Sequence, residues 1–164
     1  VRAMGTIGGS VANNDPAACY TSAVLGLGAT VSTNRREIAA DDFFVGMYTT
    51  ALDEGEIITA IRFPIPKRAA DMKLKQPAAG FWLVGVFVAQ CDAGVRVAVT
   101  GASSCVFRHA GLEAALSGSF TPQAAAAVVI DASGLNADLH ASAAYRANLI
   151  SVQTQRAVAK MTGA

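Results

Sequence analysis

Six consecutive residues near the start of the chain, Gly5-Thr6-Ile7-Gly8-Gly9-Ser10, are of the types that hold a phosphate group. Paired glycines reach backbone conformations closed to other residues and let main-chain N–H groups come close to a ligand. Thr6 and Ser10 add hydroxyl donors, and a helix N-terminus nearby would add a partial positive field for an anion. The same residue types also make plain turns. Elsewhere, Lys73-Leu-Lys75-Gln76 reads as strand, which would send Lys73 and Lys75 to one face. No acid–base constellation or activated nucleophile emerges. Asp41-Asp42 and Asp53-Glu54 read as caps and turns, and Arg35-Arg36 as a solvated pair at a hairpin tip. His109 and His140 stand at expected helix starts, where capping is the expected role. Gly26-Leu-Gly28 lacks the third glycine and the strand-before-helix context of a dinucleotide fingerprint.

The elements that would position these residues are short. Asp15-Pro16 has the form of a helix start, with Asp15 as cap and Pro16 at the first helical position. A helix from Ala17 to Gly26 would follow, stopped by Gly26-Leu-Gly28. Ala29 to Thr33 and Glu37 to Ala40 read as a hairpin, and Phe43 to Met47 as a short helical turn capped by Asp41-Asp42. Glu56 to Phe63 alternates as a half-buried strand, and Pro64-Ile-Pro66 ends it. Beyond that point Met72–Gln76, Phe81–Cys91 and Val95–Ala102 read as three strands. Arg108–Leu116, Pro122–Ile130 and His140–Lys160 read as helices. The expected class is α+β, with a division into residues 1–66 and 67–164.

Composition narrows the function. The chain of 164 residues is 52% apolar and 15% charged, with a formal net charge of +1. That fits a folded protein with a substantial core and gives no nucleic-acid footprint. The longest apolar run, Phe81 to Cys91, is far shorter than the ~20 residues a membrane span needs. No leader pattern is visible, so cytoplasm is the expected compartment. Cys19, Cys91 and Cys105 are scattered and odd in number, against both a disulfide framework and a cysteine metal site.

The stretch Val1-Arg-Ala-Met-Gly-Thr-Ile-Gly-Gly-Ser-Val-Ala-Asn-Asn-Asp-Pro-Ala-Ala-Cys19 resembles the second flavin-binding segment of one family. This is the FAD-binding medium subunit of molybdenum hydroxylases, such as carbon monoxide dehydrogenase and bacterial xanthine dehydrogenase. The resemblance continues through Ala40-Asp-Asp-Phe-Phe44, Thr50-Ala-Leu-Asp-Glu-Gly-Glu-Ile-Ile58, Phe63-Pro64, Lys73-Leu-Lys-Gln76, Arg96-Val-Ala-Val-Thr-Gly101 and Ala141-Ser-Ala-Ala-Tyr-Arg146. It implies the remainder of a two-subdomain FAD-binding domain, then a small C-terminal domain with a three-stranded antiparallel sheet and a helical bundle.

For the site, the resemblance implies that Thr6, Ile7, Gly8, Gly9 and Ser10 bind the FAD pyrophosphate. Asn13 and Asn14, at the entry of the following helix, would reach ribityl or phosphate oxygens, with helix capping and loop hydrogen bonding as the other reading. Asp15 carries both readings, cofactor contact and cap. Ile58 would pack on the isoalloxazine ring, and Lys75 would stand at its pyrimidine edge, where a cation stabilises charge gained on reduction. Cys19 occupies a position that is acidic in several relatives. Pro77-Ala-Ala-Gly80 replaces a charged loop.

The implied function is electron transfer from iron–sulfur clusters to NAD, a quinone or oxygen. The implied partners are an iron–sulfur small subunit and a molybdopterin large subunit. The first glycine-rich flavin loop of the family has no counterpart here, so the sequence reads as the C-terminal part of such a subunit. A flavin-free docking module is therefore the competing expectation, with self-association through a face around Ile7, Val11 and Ile58.

Overall fold

A computed structural model describes residues 3–77 and 80–163. Val1-Arg2, which open the resemblance, and Ala78-Ala79, in the loop after Lys75, lie outside the described residues.

The glycine segment is helical. Helix α1 (Ile7–Asn13) begins directly after Thr6, and its hydroxyl oxygen accepts from the Gly9 N–H at 3.0 Å. Two glycines cost a helix about 1 kcal/mol each relative to alanine, and what holds α1 is tertiary: Val11 is fully buried. Helix α2 (Cys19–Gly26) starts later than Asp15-Pro16 implied, with Ala18 at its cap position. Asp15 instead closes a tight turn, accepting from the Ala17 N–H at 2.8 Å.

Strands β1 (Thr30–Thr33) and β2 (Glu37–Ala39) form the expected hairpin. They join β5 (Ile58–Arg62) in an antiparallel sheet of order β2-β1-β5. Between them, Asp41 and Asp42 lie inside the first turn of α3 (Ala40–Phe43), where carboxylates oppose the helix dipole favourably. The helical turn expected at 43–47 is instead strand β3 (Phe44–Gly46), paired with β4 (Thr49–Thr50).

The second sheet has four strands, one more than expected, in the antiparallel order β6 (Arg68–Lys75), β7 (Trp82–Cys91), β8 (Gly94–Thr100), β9 (Phe107–Arg108). Helices α4 (Ala110–Gly118), α5 (Pro122–Ala126) and α6 (Ala143–Thr162) follow. Val84, Val86, Val88, Val95, Val97 and Val99 pack with Leu112, Leu116, Ile150 and Val158 of these helices. Phe87 and Ala98 belong to the other core, with Val24, Leu25, Val31 and Phe43. The sheet is thus covered on both faces, which is why β7 and β8 read as near-continuous apolar runs rather than alternating ones.

Gly26, the last residue of α2, makes the closest approach. A Cβ there would lie 2.6 Å from a Phe87 ring carbon and 3.4 Å from the Ala98 Cβ. Gly26→Val is therefore expected to destabilise the fold by about 1–3 kcal/mol through overpacking. Urea unfolding of the two proteins tests this, and an unchanged midpoint would mean that α2 does not sit this tightly on the sheet.

Candidate functional site

Thr6 organises the first turn of α1. Its hydroxyl oxygen holds the Gly9 N–H, and its carbonyl accepts from the Ser10 N–H at 3.1 Å. Helix geometry leaves the N–H groups of Ile7 and Gly8 without an intrahelical acceptor, and the first turn carries no acid. Gly8 lies over β5, where an added Cβ would only just touch Ile58, 3.7 Å from its Cβ. Thr6, Gly8, Gly9 and Ala12 line one side of a cleft of about 250 Å3, and Leu52, Glu56, Ile57 and Ile58 line the other. Of the expected site residues, Thr6, Gly8 and Gly9 share this cleft with Ile58, whereas Ile7 and Ser10 are not among its lining residues. Gly8 keeps the approach to β5 open and Gly9 leaves space for the Thr6 hydroxyl, an added Cβ at Gly9 lying 3.0 Å from it, both with helical rather than unusual backbone.

Glu56, in the second wall of this cleft, has no exposed side-chain surface. Its Oε1 accepts from Thr33 Oγ1 at 2.7 Å and Arg36 Nε at 3.1 Å. Its Oε2 accepts from the Asp53 N–H at 2.9 Å and Arg36 Nη2 at 3.1 Å. The Arg36 hydrogen bonds, with those from Asp53 and Thr33, outweigh desolvation and hold its pKa down to about 2. Arg36 also donates to the Ala51 carbonyl at 2.7 Å, so it is a structural counter-ion rather than a solvated hairpin tip. A bidentate guanidinium cancels a negative charge that would otherwise repel an anion in the cleft.

Asn13 and Asn14 sit at the C-terminal end of α1, not at the entry of α2. The helix runs about 10 Å from Ile7 to this point. Asn13 is exposed. Asn14 is fully buried in a left-handed conformation, and its Nδ2 donates to the carbonyls of Gly46 at 2.7 Å and Thr49 at 2.9 Å. It fastens α1 to the β3–β4 hairpin. Asp15 is a turn former, as above. Cys19, at the start of α2, accepts from Trp82 Nε1 at 2.9 Å.

Lys75 is opposite Trp82 in the β6–β7 register and lies outside the Thr6 cleft. A register shift between Leu74 and Lys75 separates the environments of the two lysines. Lys73 is mostly buried, paired with Asp71 Oδ2 at 2.6 Å and 5.3 Å from the Trp82 ring centroid. Lys75 is exposed. Of the face expected to self-associate, Val11 is core and Ile58 is half-buried against that core, while Ile7 remains exposed.

Residues 1–66 match the family described as FAD binding domain in molybdopterin dehydrogenase. Over 172 aligned residues the chain is 34% identical to the nicotine 6-hydroxylase medium subunit of Paenarthrobacter nicotinovorans, covering 96% of this chain and 61% of that one. Along nearly its whole length the chain is similar to FAD-binding medium subunits of molybdenum hydroxylases. It is 44% identical over 70 residues to the carbon monoxide dehydrogenase medium chain of Afipia carboxidovorans, covering 40% of this chain and 24% of that one. The fold superposes on a chain of reconstituted CO dehydrogenase from Oligotropha carboxidovorans with a TM-score of 0.88 at 27% identity. That match covers 99% of this chain and 62% of the other. The chain thus spans about three fifths of the length of the relatives it matches end to end.

FAD is the cofactor of this family. The start of α1 fits its pyrophosphate chemically, because it offers neutral donors across from a carboxylate already matched by Arg36. Among the described residues, no group of three or more His, Cys, Asp and Glu could hold a metal ion, and no helix is long and apolar enough to cross a membrane. Sequence reasoning missed the roles of Glu56, Arg36 and Trp82. Arg36 and Glu56 are twenty residues apart, and only the β1–β5 pairing brings them together.

The Glu56 interaction has a pH signature. Its folded pKa of about 2 lies below the ordinary 4.5, so its contribution is complete above pH 4.5 and disappears as pH falls towards 2. Glu56→Gln is expected to lower stability at neutral pH and to flatten the acid limb of a stability-versus-pH curve over that window. An acid limb identical to that of the unsubstituted protein would show that Glu56 is not held in this way.

Proposed function

We propose that this chain forms one wall of the FAD site in an electron-transfer subunit of a molybdenum hydroxylase. The observation that carries the reading is the donor group at the start of α1, set across the cleft from the neutralised Glu56–Arg36 pair and Ile58. In this reading the N–H groups of Ile7 and Gly8 and the hydroxyls of Thr6 and Ser10 bind the pyrophosphate. Gly8 and Gly9 keep the approach open. Asn13 stands further along the same helix, towards the ribityl end, and Asp15 shapes the turn that follows. Ile58 offers an aliphatic platform that excludes water from one ring face without adding a charge. Lys75 offers a cation beside Trp82 for the pyrimidine edge.

When bound, the flavin supplies the uptake and release of electrons. The chain's own residues bind, orient and shield it. Residues 1–66 act as part of the flavin domain and residues 67–164 as the C-terminal domain. The proposed partners are an iron–sulfur small subunit as electron source and a molybdopterin large subunit, where substrate oxidation takes place. NAD, a quinone or oxygen is the proposed acceptor class.

FAD titration followed by flavin fluorescence tests the assignment. Saturable binding is expected. Thr6→Ala, which removes a ligand donor and the α1 cap, is expected to weaken it about tenfold or more, while Thr6→Ser stays near the unsubstituted protein. No saturable binding, or equal affinity in Thr6→Ala, would overturn the proposal. The first outcome would leave a flavin-free docking module as the better reading.

A further inference from the structure

Arg146 lies in the first turns of α6, in the part of the chain far from α1 in sequence, and only 4% of its surface is exposed. Its Nη1 donates to two carbonyls, Leu83 at 2.8 Å and Gly101 at 2.9 Å, and its Nη2 donates to Asp138 Oδ2 at 2.7 Å. A buried guanidinium is costly, and this one is held by three acceptors from three separate segments. Its position has another consequence, which runs through Gly101.

Gly101 has φ +78°, and a Cβ there would lie 2.9 Å from the carbonyl oxygens of both Trp82 and Leu83. Only glycine turns the chain this tightly past the end of β8. The turn aims the Gly101 N–H at the Pro16 carbonyl, 2.7 Å away, while the Gly101 carbonyl receives Arg146. Thr100 Oγ1 donates to the same Pro16 oxygen at 2.6 Å. Pro16 lies in the short connection between α1, which carries Thr6–Ser10, and α2, which begins at Cys19 against Trp82. Arg146 and Trp82 line a common cavity of about 190 Å3, and Lys75 is the cross-strand partner of Trp82.

We propose that Arg146 is a positioning residue for the flavin site, acting through Gly101 and the Pro16 carbonyl. It sets the spacing between the donors on α1 and the cation on β6. The inference rests on the FAD reading above. A lysine cannot reproduce it, because one ammonium lacks the planar fork that reaches two carbonyls and a carboxylate at once.

The test compares the 164-residue chain with Arg146→Lys by amide hydrogen exchange and by FAD titration. In Arg146→Lys, Gly101 is expected to exchange about tenfold faster or more while Val97 and Ile150 keep their protection. FAD affinity is expected to fall about tenfold. Unchanged exchange at Gly101, or a rise matched at Val97 and Ile150, would make Arg146 a stability residue only. Faster exchange at Gly101 with unaltered FAD affinity would also overturn the positioning role. If the unsubstituted chain binds no FAD, the flavin reading itself fails, and the positioning role falls with it. Should Arg146→Lys fail to fold, Asp138→Asn carries the same test through Nη2, with a smaller change in the same direction expected and no change overturning the proposal.

Discussion

One carbonyl oxygen joins the two halves of the molecule. Pro16 has no N–H to offer, but its oxygen takes two donors from the end of β8, Thr100 Oγ1 and the Gly101 amide. Thr100 is fully buried, and its hydroxyl reaches the Pro16 oxygen at 2.6 Å and the Ala18 carbonyl at 3.3 Å, both in this same connection. The contact fixes where α1 ends and α2 begins relative to the second sheet. Gly26 at the far end of α2 then lets the helix lie flat on Phe87 and Ala98. Between these points α2 covers a sheet face that would otherwise expose apolar surface. The helix is held by its surroundings more than by its own sequence, which offers no side-chain cap at its start.

Electrostatics imposes the second constraint. A site for a doubly charged pyrophosphate tolerates no free carboxylate nearby, yet Glu56 lines the same cleft. Its four hydrogen bonds, two of them from Arg36, resolve the conflict. A similar device recurs at Asp41. Burial pushes that carboxyl up, and Arg96 with Arg108 brings it below the ordinary range. Arg96 also donates to the Leu25 carbonyl at 2.8 Å, tying the second sheet to the end of α2. Charge in this chain is spent on joining elements, which fits a protein whose proposed redox chemistry belongs to a cofactor.

The strands of the second sheet were legible because β-branched runs bounded by Asp92-Ala93-Gly94 leave few alternatives. β9 was not, since two residues paired to Ala98 and Val99 carry no local signal. No helix was expected over α1 because Gly8-Gly9 argues against one, and the Thr6 cap with the burial of Val11 outweighs that preference. Asp15-Pro16 has the letters of a helix start, but Pro16 gives its carbonyl to β8 and delays the helix to Cys19. The nearness of Thr6, Gly8 and Gly9 to Ile58 agrees with the family resemblance. The Glu56–Arg36 pair and the Arg146–Gly101–Pro16 chain were not legible, because each depends on contacts between distant segments. Of the two readings of Asn14, the structure favours hydrogen bonding to loop carbonyls: it is a buried tether rather than a ligand-facing amide.

The central claim is that the first turn of α1 faces the pyrophosphate while β5 and β6 face the ring. Amide chemical-shift mapping of the isotopically labelled chain during FAD addition tests it most directly. The account predicts the largest shifts at Ile7, Gly8 and Gly9, with a second group at Ile58 and Lys75. Shifts that leave Ile7–Gly9 unmoved while FAD binds elsewhere would contradict it.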